Sequence, residues 1–119
     1  TSAIDDSAMD AATAADTVFY FDYDKALLKP ESRAALLEHA ASLNSSPRSV
    51  RLEGHADERG TREYNMALGE RRANAVKEFM VLQGVSADLI EVISYGEERA
   101  ASYGSNDSAW SMNRRVELK

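Results

Sequence analysis

The sequence contains no cysteine. This absence excludes disulfide bonds, thiolate metal sites and cysteine nucleophiles, and it leaves the redox compartment undetermined. No apolar run approaches the roughly 20 residues of a membrane-spanning helix. Basic residues are also scarce, because 14 lysines and arginines are outnumbered by 20 aspartates and glutamates, giving a net charge of −6. Since phosphate binding requires a basic face, nucleic acid is disfavoured as a partner.

The length of 119 residues fits one domain with a hydrophobic core of its own. Residues 1–16 are mostly alanine, aspartate, serine and threonine, with too little apolar surface to offset the entropy of ordering. We predict that they form a flexible leader and that the domain covers residues 17–119. Because the first residue is Thr1 rather than methionine, we interpret the chain as a processed or trimmed product.

The remaining sequence predicts four strands and two long helices. We expect strands at Thr17–Phe21, 50–55, Glu91–Tyr95 and Arg114–Lys119, and helices at Pro30–Leu43 and Glu63–Gln83. A short turn is expected near residues 86–88, and one helical turn near Ser108–Met112 within a long polar loop. The order of elements predicts an α/β fold, with helices packed on a mixed four-stranded sheet.

One arginine lies where the second helix calls for a core residue. At about 100° per residue, Arg72 falls at the centre of an apolar stripe, and Asn65 lines up with it two turns earlier. The stripe consists of Leu68, Ala75, Val76 and Phe79. A guanidinium against apolar surface costs several kcal/mol unless a carboxylate meets it in good geometry. The pattern therefore predicts that Arg72 contacts either Asp57 or an anionic ligand.

The pairing of Asp57 with Arg72 has two interpretations. A structural salt bridge would attach the 55–61 loop to the second helix, and composition alone makes it about as plausible as a binding role. The setting favours binding, because Asp57 follows a strand end and precedes a helix N-terminus, with Gly60 free to adopt positive φ. With no nucleophile or activating base beside them, the pair suits a ligand that carries both an ammonium and a carboxylate.

A metal site at His55, Asp57 and Glu58 is the weaker hypothesis. Structural and catalytic zinc sites need three or four converging ligands, and the only other histidine, His39, is expected in the middle of the first helix. An arginine at the same place would also repel a cation. We predict no metal and no cofactor.

Two adjacent arginines, Arg114 and Arg115, join the last loop to the last strand. In a regular strand they point to opposite faces, so one reaches the site while the other stays in solvent. An edge strand protected by charge explains the same pattern. We expect Trp110, in the preceding loop, to anchor that loop.

Three separated blocks of the sequence resemble a known family. They read FYFDYDK, GHADERGTREYNMALGERRANAV and SMNRRVEL, in that order. Together they cover about 17–118, and they are similar to the peptidoglycan-associated lipoproteins of the OmpA-like C-terminal domain family. The resemblance implies a two-layer α/β sandwich that is not an enzyme. It also implies noncovalent binding of peptidoglycan peptide stems through meso-diaminopimelate.

The resemblance also implies site residues. The acidic ligand-binding residue of the HAD motif falls on Asp57, and the arginine of the ERRAN motif falls on Arg72. The further peptidoglycan-binding positions fall on Phe21, Asp22, Asn65, Arg114 and Arg115. Gly69 occupies a position that is often serine in the wider OmpA-like family.

Location and partners are likewise implied by the resemblance. Members are anchored in the outer membrane of Gram-negative bacteria by a lipidated N-terminal cysteine, which this sequence lacks, and they face the periplasm. They also bind TolB in the Tol–Pal system. We therefore expect a peptidoglycan-binding domain that links the outer membrane to the cell wall. The alternatives are a module whose main ligand is TolB, the wall-binding domain of another OmpA-like protein and, third, a metal-dependent hydrolase using His55 and Asp57.

Overall fold

A computed structural model describes residues 15–119, which form a mixed four-stranded sheet and three helices. The strands are β1 (Val18–Tyr20), β2 (Val50–His55), β3 (Ile90–Gly96) and β4 (Arg115–Leu118). The helices are α1 (Pro30–Ser45), α2 (Arg62–Leu82) and α3 (Asp107–Asn113), and a 3₁₀ turn (Ala87–Leu89) leads into β3. The predicted α/β fold is confirmed.

The sheet has the strand order β1-β4-β2-β3. β2 and β3 are parallel and are joined by α2, whereas β4 pairs antiparallel with both β1 and β2. A parallel pair needs a crossover connection, and α2 supplies it, so this helix packs across β2 and β3. The arrangement places the C-terminal end of β2 directly beside the first half of α2.

The core lies between the sheet and the helices and follows the alternation of each strand. Phe19 of β1, Leu52 of β2 and Val116 of β4 all face the helices and are at most 1% exposed. They pack in one cluster with residues of both long helices, including Leu36 and Val76. The intervening residues of β2 and β4 therefore lie on the other face of the sheet.

A pair of glycines brings α2 close to β2. A Cβ atom at Gly54 would overlap the carbonyl oxygen of Gly69, and a Cβ atom at Gly69 would lie 2.9 Å from the carbonyl oxygen of Gly54. Backbone therefore meets backbone at this crossing, which only glycine permits. Because the helix approaches so closely here, Arg72 lies under the end of β2, one turn further along α2.

Local signals explain the helix boundaries. Pro30 occupies the first turn of α1, where its missing N–H is not needed. The Thr61 side chain accepts a hydrogen bond from the backbone N–H of Tyr64 at 3.1 Å and caps α2. Asn106 caps α3 in the same way, because its side chain accepts a hydrogen bond from the N–H of Ala109. α3 spans Asp107–Asn113 and is therefore longer than the single turn predicted near Ser108–Met112.

Most of the predicted leader, residues 1–14, lies outside the described part of the chain. The last two residues of the predicted leader are described. Ala15 packs against the core, and the carbonyl oxygen of Asp16 accepts a hydrogen bond from Nε2 of His39 at 2.8 Å. Among residues 15–119, no helix combines the length and apolar composition needed to cross a membrane.

Candidate functional site

Arg72 is the largest fully buried side chain of the described residues, with no exposed surface. Its guanidinium donates three hydrogen bonds to backbone carbonyl oxygens: Nε to Lys25 at 2.8 Å, Nη1 to His55 at 2.9 Å and Nη2 to Asp22 at 3.1 Å. Arg72 thus joins the segment after β1 to the end of β2. A guanidinium has five N–H donors, so one donor remains on each terminal nitrogen.

The charge of Arg72 is retained despite its burial. Burial lowers the pKa of Arg72 to about 10, and the charge of Asp57 acts in the opposite direction. The guanidinium also lies 5.4 Å from the centroid of the Phe21 ring. At neutral pH the site therefore contains a buried cation that contacts carbonyl dipoles and an aromatic face.

Asp57 is also buried, with 4% of its surface exposed, but its ion pairs are not with Arg72. Oδ1 accepts hydrogen bonds from the backbone N–H of Arg59 at 2.9 Å and from its Nε at 3.3 Å, and Oδ2 accepts one from its Nη2 at 2.9 Å. Nη1 of Arg114 lies 3.7 Å from Oδ2. The structural interpretation, a direct Asp57–Arg72 salt bridge, is therefore wrong, because backbone carbonyl oxygens rather than a carboxylate accept the hydrogen bonds of Arg72.

The pKa of Asp57 follows from the same contacts. Burial alone would raise it, but the hydrogen bonds from Arg59 and the charges of Arg59 and Arg114 hold the pKa below its ordinary value. The carboxylate is therefore ionised at neutral pH.

Arg59 is held between two aromatic rings. Its guanidinium carbon lies 4.0 Å from the ring centroid of Tyr23 and 4.0 Å from that of Trp110. The indole N–H of Trp110 donates to Glu58 at 2.9 Å, which attaches α3 to the 55–61 loop. The expected anchor role of Trp110 agrees with this contact.

A small cavity of about 60 Å³ connects these groups. It is lined by Tyr23, Asp24, Asp57, Arg59, Gly60, Tyr64, Asn65, Leu68 and Arg72. Asn65 is 2% exposed and donates to Glu97 at 2.7 Å, while the Tyr64 hydroxyl donates to Asp24 at the rim. A larger cleft of about 290 Å³ lies beside β1 and the start of α1, away from the buried arginine.

Phe21 and Asp22 contribute to this site through their backbone. The carbonyl oxygen of Phe21 accepts a hydrogen bond from Nε of Arg114 at 2.8 Å, and its ring is buried in the core. The carbonyl of Asp22 binds Arg72, whereas its carboxylate points outward, 74% exposed and 3.4 Å from Nζ of Lys29.

Arg114, just before β4, and Arg115, the first residue of β4, lie on opposite faces, as predicted, and only Arg114 reaches the site. Arg115 is 5% exposed rather than in solvent, and its Nε donates to Glu117 at 2.6 Å. Its Nη2 donates to the carbonyl oxygen of Arg99. The placement of Arg115 among the site residues is therefore corrected, because Val116 faces the core and Arg115 must face the other way.

His55 follows the same alternation and lies on the far face of the sheet from the cavity. Neither ring nitrogen of His55 has a hydrogen-bond partner, and burial, followed by the charge of Arg115, lowers its pKa to about 4. A ring nitrogen of His55 lies within 4.8 Å of a carboxylate oxygen of Glu53 and of one of Glu117. The acidic groups near His55 are therefore these two glutamates rather than the expected Asp57 and Glu58. Lys119 pairs with both of these glutamates, Arg51 also pairs with Glu53 and Arg115 with Glu117, so both carboxylates already have cationic partners.

Five residues that line or complete the cavity were not expected from the sequence: Tyr23, Asp24, Arg59, Tyr64 and Glu97. The only sequence signal was local, since Arg59 follows Asp57 by two positions and can bond back to it. The partners of the others come from distant segments, such as Glu97 after β3 for Asn65 on α2.

Comparisons with known proteins agree on one family. The OmpA family matches residues 20–114. The peptidoglycan-associated lipoprotein of Pseudomonas aeruginosa is 58% identical over 98% of this chain and 70% of its own length. The peptidoglycan-associated lipoprotein of Pseudomonas putida is 55% identical over 100% of this chain and 72% of its own length.

Solved structures give the same result. The crystal structure of the peptidoglycan-associated lipoprotein from Burkholderia pseudomallei superimposes with a TM-score of 0.85 at 40% identity, covering 87% of this chain and 89% of that one. The C-terminal domain of Helicobacter pylori MotB, at 18% identity and a TM-score of 0.78, covers 86% of this chain and 81% of that one and shares the fold. The chain therefore belongs to the OmpA family and, within it, to the peptidoglycan-associated lipoproteins.

Proposed function

We propose that this chain binds the peptide stems of peptidoglycan noncovalently and that the diaminopimelate residue of the stem enters the cavity between Asp57 and Arg72. The observation that carries the proposal is that a buried acid and a buried arginine line one cavity, and that the two terminal nitrogens of the arginine each keep one N–H donor. Diaminopimelate has the matching charges, because the end of its side chain carries an ammonium and a carboxylate.

The carboxylate end is assigned to Arg72. Two N–H donors on adjacent nitrogens suit a carboxylate in a bidentate arrangement. The three carbonyl bonds hold the guanidinium in place, so little side-chain entropy remains to be lost on binding. Arg114, 16% exposed, adds a second positive charge near Asp57.

The ammonium end is assigned to Asp57, the acid that lines the cavity together with Asp24. Charge-assisted hydrogen bonds contribute about 1.5–3 kcal/mol each. A handful of them, less the cost of association, gives micromolar to millimolar affinity for one stem. Many copies on one wall would then remain attached through avidity.

Binding is favoured over catalysis by the residues that line the cavity. In the described part of the chain this lining has no serine, cysteine or histidine, and His55 faces the other side of the sheet. A serine or cysteine nucleophile activated by a histidine is therefore not present there.

The cellular role is proposed from the relatives. Their names describe lipoproteins associated with peptidoglycan. We propose that this domain belongs to an outer-membrane lipoprotein, anchored by a lipidated N-terminal cysteine, that faces the periplasm and links the membrane to the wall within the Tol–Pal system. TolB is the second candidate ligand, favoured by the exposed rings of Tyr23 and Tyr64 at the cavity rim, since aromatic residues are enriched at protein interfaces.

Co-sedimentation with insoluble diaminopimelate-type peptidoglycan tests the proposal. We expect the wild type to sediment with the wall, free diaminopimelate to release it, and Asp57→Asn to stay in the supernatant. Glu70→Gln, which removes an exposed carboxylate from the far side of α2, serves as the matched control and should sediment normally. A wild type that stays soluble but is captured tightly by TolB would favour the second candidate.

A further inference from the structure

We propose that Arg59 competes with the ligand for Asp57. The Arg59 guanidinium binds the Asp57 carboxylate in the free protein and leaves it when the ammonium of a ligand binds. The inference rests on the proposed role of Asp57 as the ammonium acceptor.

The Asp57 carboxylate is already occupied by Arg59 in this structure. Both oxygens accept hydrogen bonds from the Arg59 side chain, at 3.3 and 2.9 Å, and the backbone N–H of Arg59 adds a third at 2.9 Å. A carboxylate has about four lone-pair sites, and Arg114 lies 3.7 Å from Oδ2. With 5% of the side chain exposed, an ammonium cannot reach Asp57 while this arrangement persists.

Arg59 lines the same cavity as the other proposed binding groups and is more exposed than they are. Asn65 and Arg72 are 2% and 0% exposed, whereas the Arg59 side chain is 30% exposed. A rotation of the side chain alone would vacate Asp57. The backbone N–H of Arg59 would keep its bond to Oδ1 during that motion, so the carboxylate would stay oriented for the incoming ammonium.

Two aromatic rings stabilise Arg59 in its position on Asp57. The rings of Tyr23 and Trp110 lie on the Arg59 guanidinium, each 4.0 Å away, and the hydrogen bond from Trp110 to Glu58 fixes one of these rings. Replacing this guanidinium by a ligand ammonium exchanges one cation for another at Asp57. The exchange itself therefore gains little, and the loss of the ring contacts lowers the apparent affinity.

Calorimetry with a soluble stem peptide containing diaminopimelate tests the inference. If Arg59 occupies Asp57 in about nine of ten molecules or more, Arg59→Ala should bind at least about tenfold tighter than the wild type. Arg59→Lys keeps the charge but cannot span both oxygens, so we expect an intermediate gain. Arg62→Ala is the control. Arg62 lies three residues after Arg59, is exposed and contacts Glu98, so this variant should bind like the wild type.

The outcomes separate the inference from the function on which it rests. If the wild type binds and a folded Arg59→Ala binds equally or more weakly, with Arg59→Lys following it, Arg59 does not compete and the inference is overturned. Binding by Arg59→Ala where the wild type shows none supports it strongly. If neither the wild type nor any variant binds the stem peptide, although unfolding curves show that all of them are folded, the proposed function and the inference are overturned together.

Discussion

Replacing Arg72 by lysine should destabilise the fold even though the charge is kept. In the structure three different nitrogens of Arg72 bind three backbone carbonyl oxygens, those of Asp22, Lys25 and His55. A lysine has a single nitrogen, so it cannot take the positions of all three.

The magnitude follows from the carbonyl groups that lose a partner. If the ammonium reaches one carbonyl oxygen, two others lose their partner at this partly buried position, and each costs about 1–3 kcal/mol. We therefore expect Arg72→Lys to lower the free energy of unfolding by about 3 kcal/mol, which is a large fraction of the roughly 5–15 kcal/mol of a typical domain.

Urea unfolding followed by circular dichroism and by the fluorescence of Trp110, the only tryptophan, gives the measurement. Arg71→Lys is the matched control, because Arg71 is the neighbouring arginine and is exposed. It should change the free energy of unfolding by less than about 0.5 kcal/mol. If Arg72→Lys unfolds within 0.5 kcal/mol of the wild type, the carbonyl bonds do not support the fold and this reasoning is refuted.

Three further predictions concern the same region. The pKa of His55 is lowered from 6.5 to about 4, so the unfolded chain takes up the proton first and the free energy of unfolding should fall by about 1 kcal/mol per pH unit between pH 6.5 and 4. His55→Phe should abolish this part of the pH dependence of the free energy of unfolding, as measured by denaturant unfolding at several pH values. Asp57→Asn should cost about 1–2 kcal/mol, and adding Arg72→Met should lower stability further rather than restore it, because the two side chains are not paired; recovery in the double variant would contradict the structure. Gly54→Ala should cost about 1–3 kcal/mol or more in the same assay, since its Cβ overlaps the backbone of Gly69, and an unchanged midpoint would argue against the close crossing.

The sequence was sufficient to predict the features that depend on local periodicity. The apolar stripe of α2 predicted that Arg72 is buried, and burial is complete. Alternation in the strands and the proline and glycine signals predicted the main elements with small shifts at their ends. These features are encoded within about 20 consecutive residues, so one segment suffices to read them.

The partners of the site residues depend on tertiary contacts. Arg72 binds carbonyl oxygens, which every residue has, so no side-chain pattern marks them. Arg59 acquires its position from Tyr23 and Trp110, which come from two distant segments. The side of Arg115, in contrast, could have been predicted, because Val116 is apolar and therefore faces the core.

The central claim is that the site recognises the carboxylate and the ammonium at the end of the diaminopimelate side chain. Calorimetry on two soluble stem peptides that differ only in diaminopimelate or lysine tests it most directly, because lysine keeps the ammonium and lacks that carboxylate. Loss of one charge-assisted pair predicts at least about tenfold weaker binding of the lysine peptide. Equal affinity for the two peptides would contradict the assignment of Arg72 as the carboxylate-binding group.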